Sequence, residues 1–325
     1  MLRFFRSSKT IVVVIVLLTG VLTWLHVLSN TETIADAKYG SFLFVALSAS
    51  FADIPEIGAI AGFVLLILTA FLLIPVNTKL NLIDKYTYLP ALCYILLIGG
   101  MPEIHIFNPA IIAVILLITS FSVLVKTFEN ERLSYNFFTI PVIISFATFL
   151  YQYMYVYMLV VWLVLALWRP GYWREWVFSI LGFSLPLFFA FSWFFLIEDD
   201  VEQMVNFFNE MFNIQHIIIN VSISNIIFLG IVISLVIISF AYILRYVASK
   251  KIAIRTGYYI LILFIVVTTG LIVIVPDIFP QIWYLLSFPL SYIISSYLAT
   301  VKSKVWGTTV LAAIFAGVIV AQFIL

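Results

Sequence analysis

Few side chains in this sequence could carry acid–base or ligand chemistry, and most of them stand at the ends of long apolar runs. They are Asp53, Glu56, Glu103, His105, His216, His26 and Asp277. Carboxylates and imidazoles transfer protons to and from substrates, and both can bind cations. These side chains could converge on one outward-facing cavity, where such chemistry would take place.

The same residues also have an ordinary explanation. Acids and histidines collect in the loops of membrane proteins from which Lys and Arg are excluded. Glu103 and His105 are two positions apart, so they do not share a helix face, and the sequence has no HExxH or CxxC motif. The single Cys93 excludes an intramolecular disulfide and a multi-cysteine metal site. The sequence therefore predicts no bound cofactor, although a divalent metal stays compatible with these ligands.

The composition identifies the class of protein that must position these residues. Of the 325 residues, 65% are hydrophobic, 17% aromatic and only 10% charged, which excludes a soluble domain. The apolar runs are continuous rather than alternating, so they predict helices rather than a β-barrel. A net charge of +1 argues against a nucleic-acid partner.

Eleven apolar runs approach the length of about 20 residues that a bilayer-spanning helix needs. They cover about 10–29, 57–76, 87–101, 109–126, 137–150, 154–168, 177–197, 226–246, 257–275, 282–300 and 305–325. The sequence thus predicts an all-α, polytopic transmembrane bundle that forms a single integral membrane domain over 1–325. Residues 137–168 could instead form one tilted helix, because only Gln152 interrupts them.

The charges favour two short helices over 137–168 and give the bundle an orientation. With two helices, 15 of the 16 Lys and Arg residues fall on one face of the membrane, and 11 of the 15 Asp and Glu residues fall on the other. Lys38 is the exception among the cations. By the positive-inside rule the N-terminus is then cytoplasmic and the C-terminus lies on the outer side. We expect a multi-pass membrane protein with this orientation.

Two connections on the outer side have internal patterns. In the loop over 30–56, the apolar residues 41–51 are too few to span and predict a short interfacial or re-entrant helix. In the loop over 198–225, apolar residues recur with helical spacing after an acidic start, which predicts an amphipathic helix on the membrane surface.

The cytoplasmic segment 168–176 is rich in Trp, Tyr and Arg around a Pro-Gly turn. Such residues anchor a turn at the lipid headgroups, and they could equally form a docking site for a lipid or a protein partner. The candidate docking residues are Arg169, Trp173, Arg174 and Trp176. The basic loop 245–255 has the same two interpretations.

Three segments carry a resemblance to a known family. Residues 4–9 (FFRSSK), 39–42 (YGSF) and 169–176 (RPGYWREW), the last followed by Gly182 and Pro186, resemble an uncharacterised family of bacterial inner-membrane proteins of about this length. That family has no established activity to transfer to this chain.

More distantly, the layout is similar to that of the membrane glycosyltransferases of the GT-C type. The resemblance implies a sugar donor linked to polyprenyl phosphate and a catalytic acid in the first outer loop, at the position of Asp53 or Glu56. That carboxylate would be the general base, and the candidate substrate-binding residues are Lys38, Glu103, His105 and His216. Two other functions stay open: a non-enzymatic scaffold or assembly partner, and a carrier for a lipid or small molecule.

Overall fold

In the computed structural model, the described residues are 10–29, 40–49, 55–83, 87–129, 134–198, 205, 223–247, 249–279, 281–301 and 303–323. Their α-helices are α1 (Thr10–Ser29), α2 (Phe42–Ala49), α3 (Pro55–Leu80), α4 (Leu89–Gly99), α5 (Pro109–Glu129), α6 (Asn136–Thr148), α7 (Met158–Trp168), α8 (Trp173–Trp193), α9 (Ile223–Val247), α10 (Ile252–Ile274), α11 (Trp283–Thr300) and α12 (Lys304–Phe323). Four short 3₁₀ or π segments join them: Pro102–Ile104, Gln152–Tyr157, Phe194–Glu198 and Pro276–Ile278.

The described part of the chain is helical throughout, with one isolated bridge between Gly40 and Tyr151 as its only β pairing. Six of its helices are long and apolar enough to cross a membrane, namely α3, α5, α8, α9, α10 and α12. The all-α class and a multi-pass membrane bundle are therefore confirmed. Each of the eleven predicted apolar runs contains one helix, with ends displaced by a few residues.

The chain reverses direction between α6 and α7. Arg169, just after α7, lies over the ring of Phe137 at the start of α6, with 5.7 Å between the guanidinium carbon and the ring centroid. Trp168 likewise packs against Phe128 at the end of α5. Residues 137–168 therefore form two antiparallel helices, joined through the 3₁₀ segment Gln152–Tyr157. A single straight helix of that length would have carried Trp168 to the far end of the bundle.

Helix α11 lies at the centre of the bundle. All sixteen residues over 283–298 are buried, and the helix packs against α4, α5, α9 and α10. Two of its tyrosine hydroxyls donate to backbone carbonyls: Tyr284 Oη to Ile104 at 2.9 Å and Tyr292 Oη to Leu73 at 2.7 Å. A buried hydroxyl without such a partner would cost free energy, so these bonds fix how α11 sits against α3 and the α4–α5 connection.

Helix α2 is too short to span a membrane, as predicted for 41–51, and the turn after α6 holds its start. The amides of Ser41 and Leu43 donate to the carbonyls of Leu150 and Phe149 at 3.1 and 3.2 Å. The ring of Phe44 stacks on Phe107, with centroids 5.1 Å apart. This part of the first loop is thereby packed onto one end of the bundle.

The two ends of the bundle differ in charge. The "basic end" contains every Lys and Arg of the described part of the chain: Lys79, Lys126, Arg169, Arg174, Arg245, Lys250, Lys251, Arg255 and Lys304. The opposite "His105 end" contains Glu56, Glu103 and Asp277. Helix α5 joins the two ends, and at 1.5 Å per residue its 21 residues separate them by about 30 Å.

Candidate functional site

The His105 end is built around a buried pair of rings from α1 and the α4–α5 connection. The imidazole of His105 stacks on the indole of Trp24, with centroids 4.7 Å apart and planes at 26°. Both side chains are fully buried. His105 Nε2 lies 3.1 Å from the carbonyl oxygen of Ile98, so the Nε2–H donates to it. The imidazole is therefore held inside the protein.

The first turns of helix α3 contact the Trp24 ring of this pair. Trp24 Nε1 donates to the carbonyl of Ala59 at 3.2 Å. Gly62 allows the close approach, since an added Cβ would lie 3.1 Å from the Trp24 ring and 3.5 Å from the backbone of Ile106. Glu56, one turn before Ala59, is exposed on this end. An acidic residue in the first turn is favoured by the helix dipole.

Glu103 is the second exposed carboxylate at this end. The side-chain amide of Asn225, at the start of α9, donates to Glu103 Oε1 at 2.9 Å. Because Asn225 is buried, it holds one carboxylate oxygen in place while the rest of the Glu103 side chain stays exposed. An exposed, oriented carboxylate can accept a proton from a hydroxyl or bind a cation.

Asp277 approaches the same end from between α10 and α11. It lies within electrostatic reach of Tyr153, whose pKa is raised from its ordinary value of 10.0. Burial is the main cause of that rise, followed by the charges of Tyr155 and Asp277.

Helix α12 also contacts this end of the bundle. The side-chain amide of Gln322 donates to the carbonyls of Thr23 and Gly99 at 3.0 and 2.9 Å.

Several predicted site residues lie outside the described residues. They are Asp53, Lys38 and His216, and the same holds for the amphipathic helix predicted within 198–225 and for the side chain of His26. Of the predicted site residues that are described, Glu56, Glu103 and His105 lie at the His105 end. His105 differs from Glu56 and Glu103, because it is buried against Trp24 and its contacts are those of a packing residue.

The basic end contains the predicted docking residues, and the structure divides them into two pairs. Trp173 and Arg174 are exposed, with the Arg174 guanidinium 5.8 Å from the Trp173 ring. Trp176 is partly buried and packs against the core. Arg169 is only 7% exposed, and its Nη1 donates to Glu175 Oε1 at 2.6 Å. The Arg169 contacts are thus internal rather than those of an open docking residue.

Glu175 completes the surroundings of Arg169. It is 1% exposed, and its Oε1 also accepts a hydrogen bond from Ser134 at 2.8 Å. The guanidinium lies 5.3–5.7 Å from the ring centroids of Phe128, Phe137 and Tyr172. This buried ion pair ties the turn after α7 to the start of α6.

Sequence reasoning missed three residues of these arrangements: Trp24, Asn225 and Glu175. Glu175 had a signal, since an acid six positions after Arg169 is the nearest opposite charge in a loop between apolar runs. Trp24 and Asn225 had none, because their partners are far away in sequence.

The described part of the chain does not bring three or more His, Cys, Asp or Glu side chains together as a metal site. Glu56 and Glu103 are thus exposed carboxylates at the same end of the bundle as the buried, stacked rings of Trp24 and His105. Comparison with protein-family models, curated proteins and solved structures finds no match for this chain.

Proposed function

We propose that this chain is a multi-pass protein of a bacterial inner membrane that transfers a sugar from a polyprenyl-phosphate donor, in the manner of GT-C glycosyltransferases. The observation that supports this most directly is the pair of exposed carboxylates, Glu56 and Glu103, on a rigid end of an apolar bundle. Helix α2, whose Phe44 stacks on Phe107, agrees with an interfacial helix in the first loop of such enzymes.

The orientation we propose places the basic end in the cytoplasm and the His105 end on the outer side, with eleven membrane helices. It rests on the positive-inside rule, because every described Lys and Arg lies at the basic end. Uneven helix lengths fit this arrangement, since α4, α6 and α7 have 11, 13 and 11 residues and are embedded among longer helices.

The chemistry needs a carboxylate base and a stabilised leaving group. Asp53 or Glu56 removes the proton from an acceptor hydroxyl, and the acceptor oxygen attacks the anomeric carbon of the sugar. The bond from that carbon to the lipid phosphate breaks, and the phosphate leaves with the bonding electrons. A positive group must stabilise the phosphate charge. We assign that role to Lys38 and His216, with Glu103 orienting the acceptor.

The structure changes what we propose for His105. Because the imidazole is buried and stacked on Trp24, it supports the site by fixing α1 against the α4–α5 connection. It therefore positions the exposed carboxylates and does not itself contact the donor.

The test measures donor binding and turnover by the purified full-length protein. Native mass spectrometry in mild detergent detects retained polyprenyl phosphate, and proteoliposomes report the transfer of labelled sugar from polyprenyl-phosphate hexose to an added hydroxyl acceptor. We expect the Asp53→Asn/Glu56→Gln double variant to lose turnover by at least a hundredfold, in line with loss of a general base.

The matched control is Glu129→Gln, which removes an acid from the opposite end of α5. It should turn over at the wild-type rate. Wild-type turnover in the Asp53/Glu56 double variant would overturn the catalytic assignment, and absence of turnover by the wild-type protein with every polyprenyl-linked hexose would overturn the proposed reaction.

A second function is favoured by one feature of α8. The membrane-crossing window of this helix is only 17% buried, the smallest share among the six candidate spans. Large aromatic side chains, Phe188, Phe189 and Trp193, lie exposed along it. An assembly partner that packs on α8 would explain this exposure, and it predicts that alanine at Glu56 and Glu103 is tolerated while Phe188→Ala and Phe189→Ala release a co-purifying membrane protein.

A further inference from the structure

We propose that a pocket at the basic end binds the phosphate headgroup of an anionic phospholipid. The pocket has a volume of about 380 Å³ and lies between the turn that follows α7 and the first turns of α10. Arg169 and Arg255 line it together with Trp168, Tyr172, Thr256 and Tyr259. Two guanidinium groups among aromatic rings are a suitable surface for a phosphate group.

The two arginines have different roles in the pocket. The charge of Arg169 is compensated by Glu175, with 2.6 Å between the bonded atoms, so Arg169 is a fixed wall that contributes little net attraction. Among the described residues, Arg255 has no carboxylate partner, and its side chain is half-buried at the pocket. Among the described residues that line the pocket, Arg255 is the cation without a carboxylate partner, and its charge attracts an anion.

The aromatic walls contact each other and Arg169. Trp168 and Tyr259 stack with centroids 6.3 Å apart and planes at 27°, and Arg169 lies 5.3 Å from the Tyr172 ring. These contacts link α7, the following turn and α10, so the pocket exists before a ligand arrives. A preformed site loses little conformational entropy on binding.

A lipid rather than a soluble anion is favoured by the surface around the pocket. Ile252 on the pocket wall is 71% exposed, and Leu167, next to Trp168, is 62% exposed. Apolar side chains in that position would face acyl chains while the phosphate contacts Arg255. Trp and Tyr are also the residues that collect at the level of the headgroups. One ligand with a charged head and apolar tails satisfies both surfaces.

This pocket is independent of the carboxylates proposed for sugar transfer. It lies at the C-terminal end of α5, beside Phe128, whereas the His105 end lies about 30 Å away at the start of α5. The phosphate in the pocket is therefore not the leaving group of the proposed reaction, and the lipid has a structural or regulatory role.

The test uses the purified full-length protein, delipidated in mild detergent and titrated with phosphatidylglycerol or with phosphatidylcholine. Native mass spectrometry counts the bound lipids. We expect phosphatidylglycerol to bind more tightly than phosphatidylcholine, and Arg255→Gln to weaken phosphatidylglycerol binding about fivefold, the size expected for one basic residue at a lipid surface.

Two variants serve as controls. Arg255→Lys keeps the charge and should retain most of the binding. Arg245→Gln removes an exposed cation from the end of α9, at the same end of the bundle but outside the pocket lining, and should leave binding unchanged. Circular dichroism checks that the Arg255→Gln protein is folded like the wild type.

Three results would overturn the proposal. In the first, the Arg255→Gln protein binds phosphatidylglycerol as tightly as the wild type. In the second, Arg245→Gln weakens phosphatidylglycerol binding as much as Arg255→Gln does, which would indicate a diffuse charge effect. In the third, inorganic phosphate at low millimolar concentration binds through Arg255 and prevents added phosphatidylglycerol from binding, which would identify a soluble anion as the ligand.

Discussion

The two ends of this bundle handle charge in opposite ways. At the basic end the ion pair of Arg169 and Glu175 is buried beneath aromatic rings, and its cation lies over Phe128 and Phe137. At the His105 end the buried rings of Trp24 and His105 donate to backbone carbonyls, and the carboxylates of Glu56 and Glu103 stay exposed.

This difference separates structural charges from chemically available ones. A buried ion pair is held by its partners and is expensive to break, so it fixes the geometry of the chain. An exposed carboxylate keeps its access to a substrate hydroxyl or a cation. We therefore expect substitutions in the buried ion pair to act on stability and those of the exposed carboxylates Glu56 and Glu103 to act on binding and turnover.

The largest effect is expected when the buried pair is broken. Glu175→Gln leaves the Arg169 charge buried without compensation, and removing one member of such a pair typically costs about 3–5 kcal/mol. Denaturant unfolding in detergent, followed by near-UV circular dichroism, measures it. Glu103→Gln is the matched control at the other end and should cost less than about 1 kcal/mol, because that side chain is exposed. Equal losses of unfolding free energy in Glu175→Gln and Glu103→Gln would contradict the proposed difference between the two ends.

A smaller effect is expected from the close contact between α6 and α8 near the basic end. A Cβ at Gly182 would collide with the backbone carbonyl oxygen of Phe138, so Gly182→Ala must push the helices apart. Overpacking of this kind typically costs about 1–3 kcal/mol. Gly171→Ala provides the control, since an added Cβ there meets no atom within 4 Å. Thermal unfolding in detergent compares them, and unchanged stability of Gly182→Ala would contradict the close packing.

At the His105 end, the indole hydrogen bond of Trp24 should contribute about 0.5–1.5 kcal/mol. Trp24→Phe keeps a buried ring and removes the donation from Nε1 to the carbonyl of Ala59. The control is Trp173→Phe at an exposed position, which should leave the free energy of unfolding unchanged. Denaturant unfolding measures both variants. If Trp24→Phe proved as stable as the wild type, the ring stacking on His105 alone would hold this end together.

The smallest effect is expected at Asn225, whose amide orients the exposed Glu103. Asn225→Ala should reduce stability by less than about 1 kcal/mol, since water replaces the amide at the exposed carboxylate. Asn225→Asp should cost more, because it places a second negative charge next to Glu103. Lowering the pH enough to protonate the carboxylates should reduce the difference in unfolding free energy between the Asp and Ala variants. Urea unfolding at two pH values makes the comparison, and an Asp variant no worse than Ala would show that the contact does not form.

Much of the helical framework was predictable from the sequence, for a local reason. An apolar run of about 20 residues can satisfy its backbone in a membrane only as a helix, so the runs over 109–126 and 257–275 correspond to α5 and α10. The reversal between α6 and α7 was also predictable, because it puts the cations before α6 (Lys126, Arg132) and those after α7 (Arg169, Arg174) on the same side of the membrane.

The contacts between helices were not predictable in the same way. Arg169 belongs to a turn whose composition is typical of a surface anchor, and only the packing of Ser134 and Glu175 around it makes it a buried residue. His105 stands next to an acid in a short loop, as a ligand might, and only Trp24 from α1 covers it.

The sequence by itself determined the class of this protein, the approximate ends of its helices and the separation of its charges, because each depends on local hydropathy and on which residues a membrane excludes. The tertiary structure alone decided which polar groups are buried, which stay exposed, and that Arg169 and Arg255 line one pocket. Those outcomes depend on contacts between residues far apart in the chain, such as Asn225 and Glu103 at a separation of 122 positions. No local pattern encodes such pairs, since many helix packings would bury the same apolar surface.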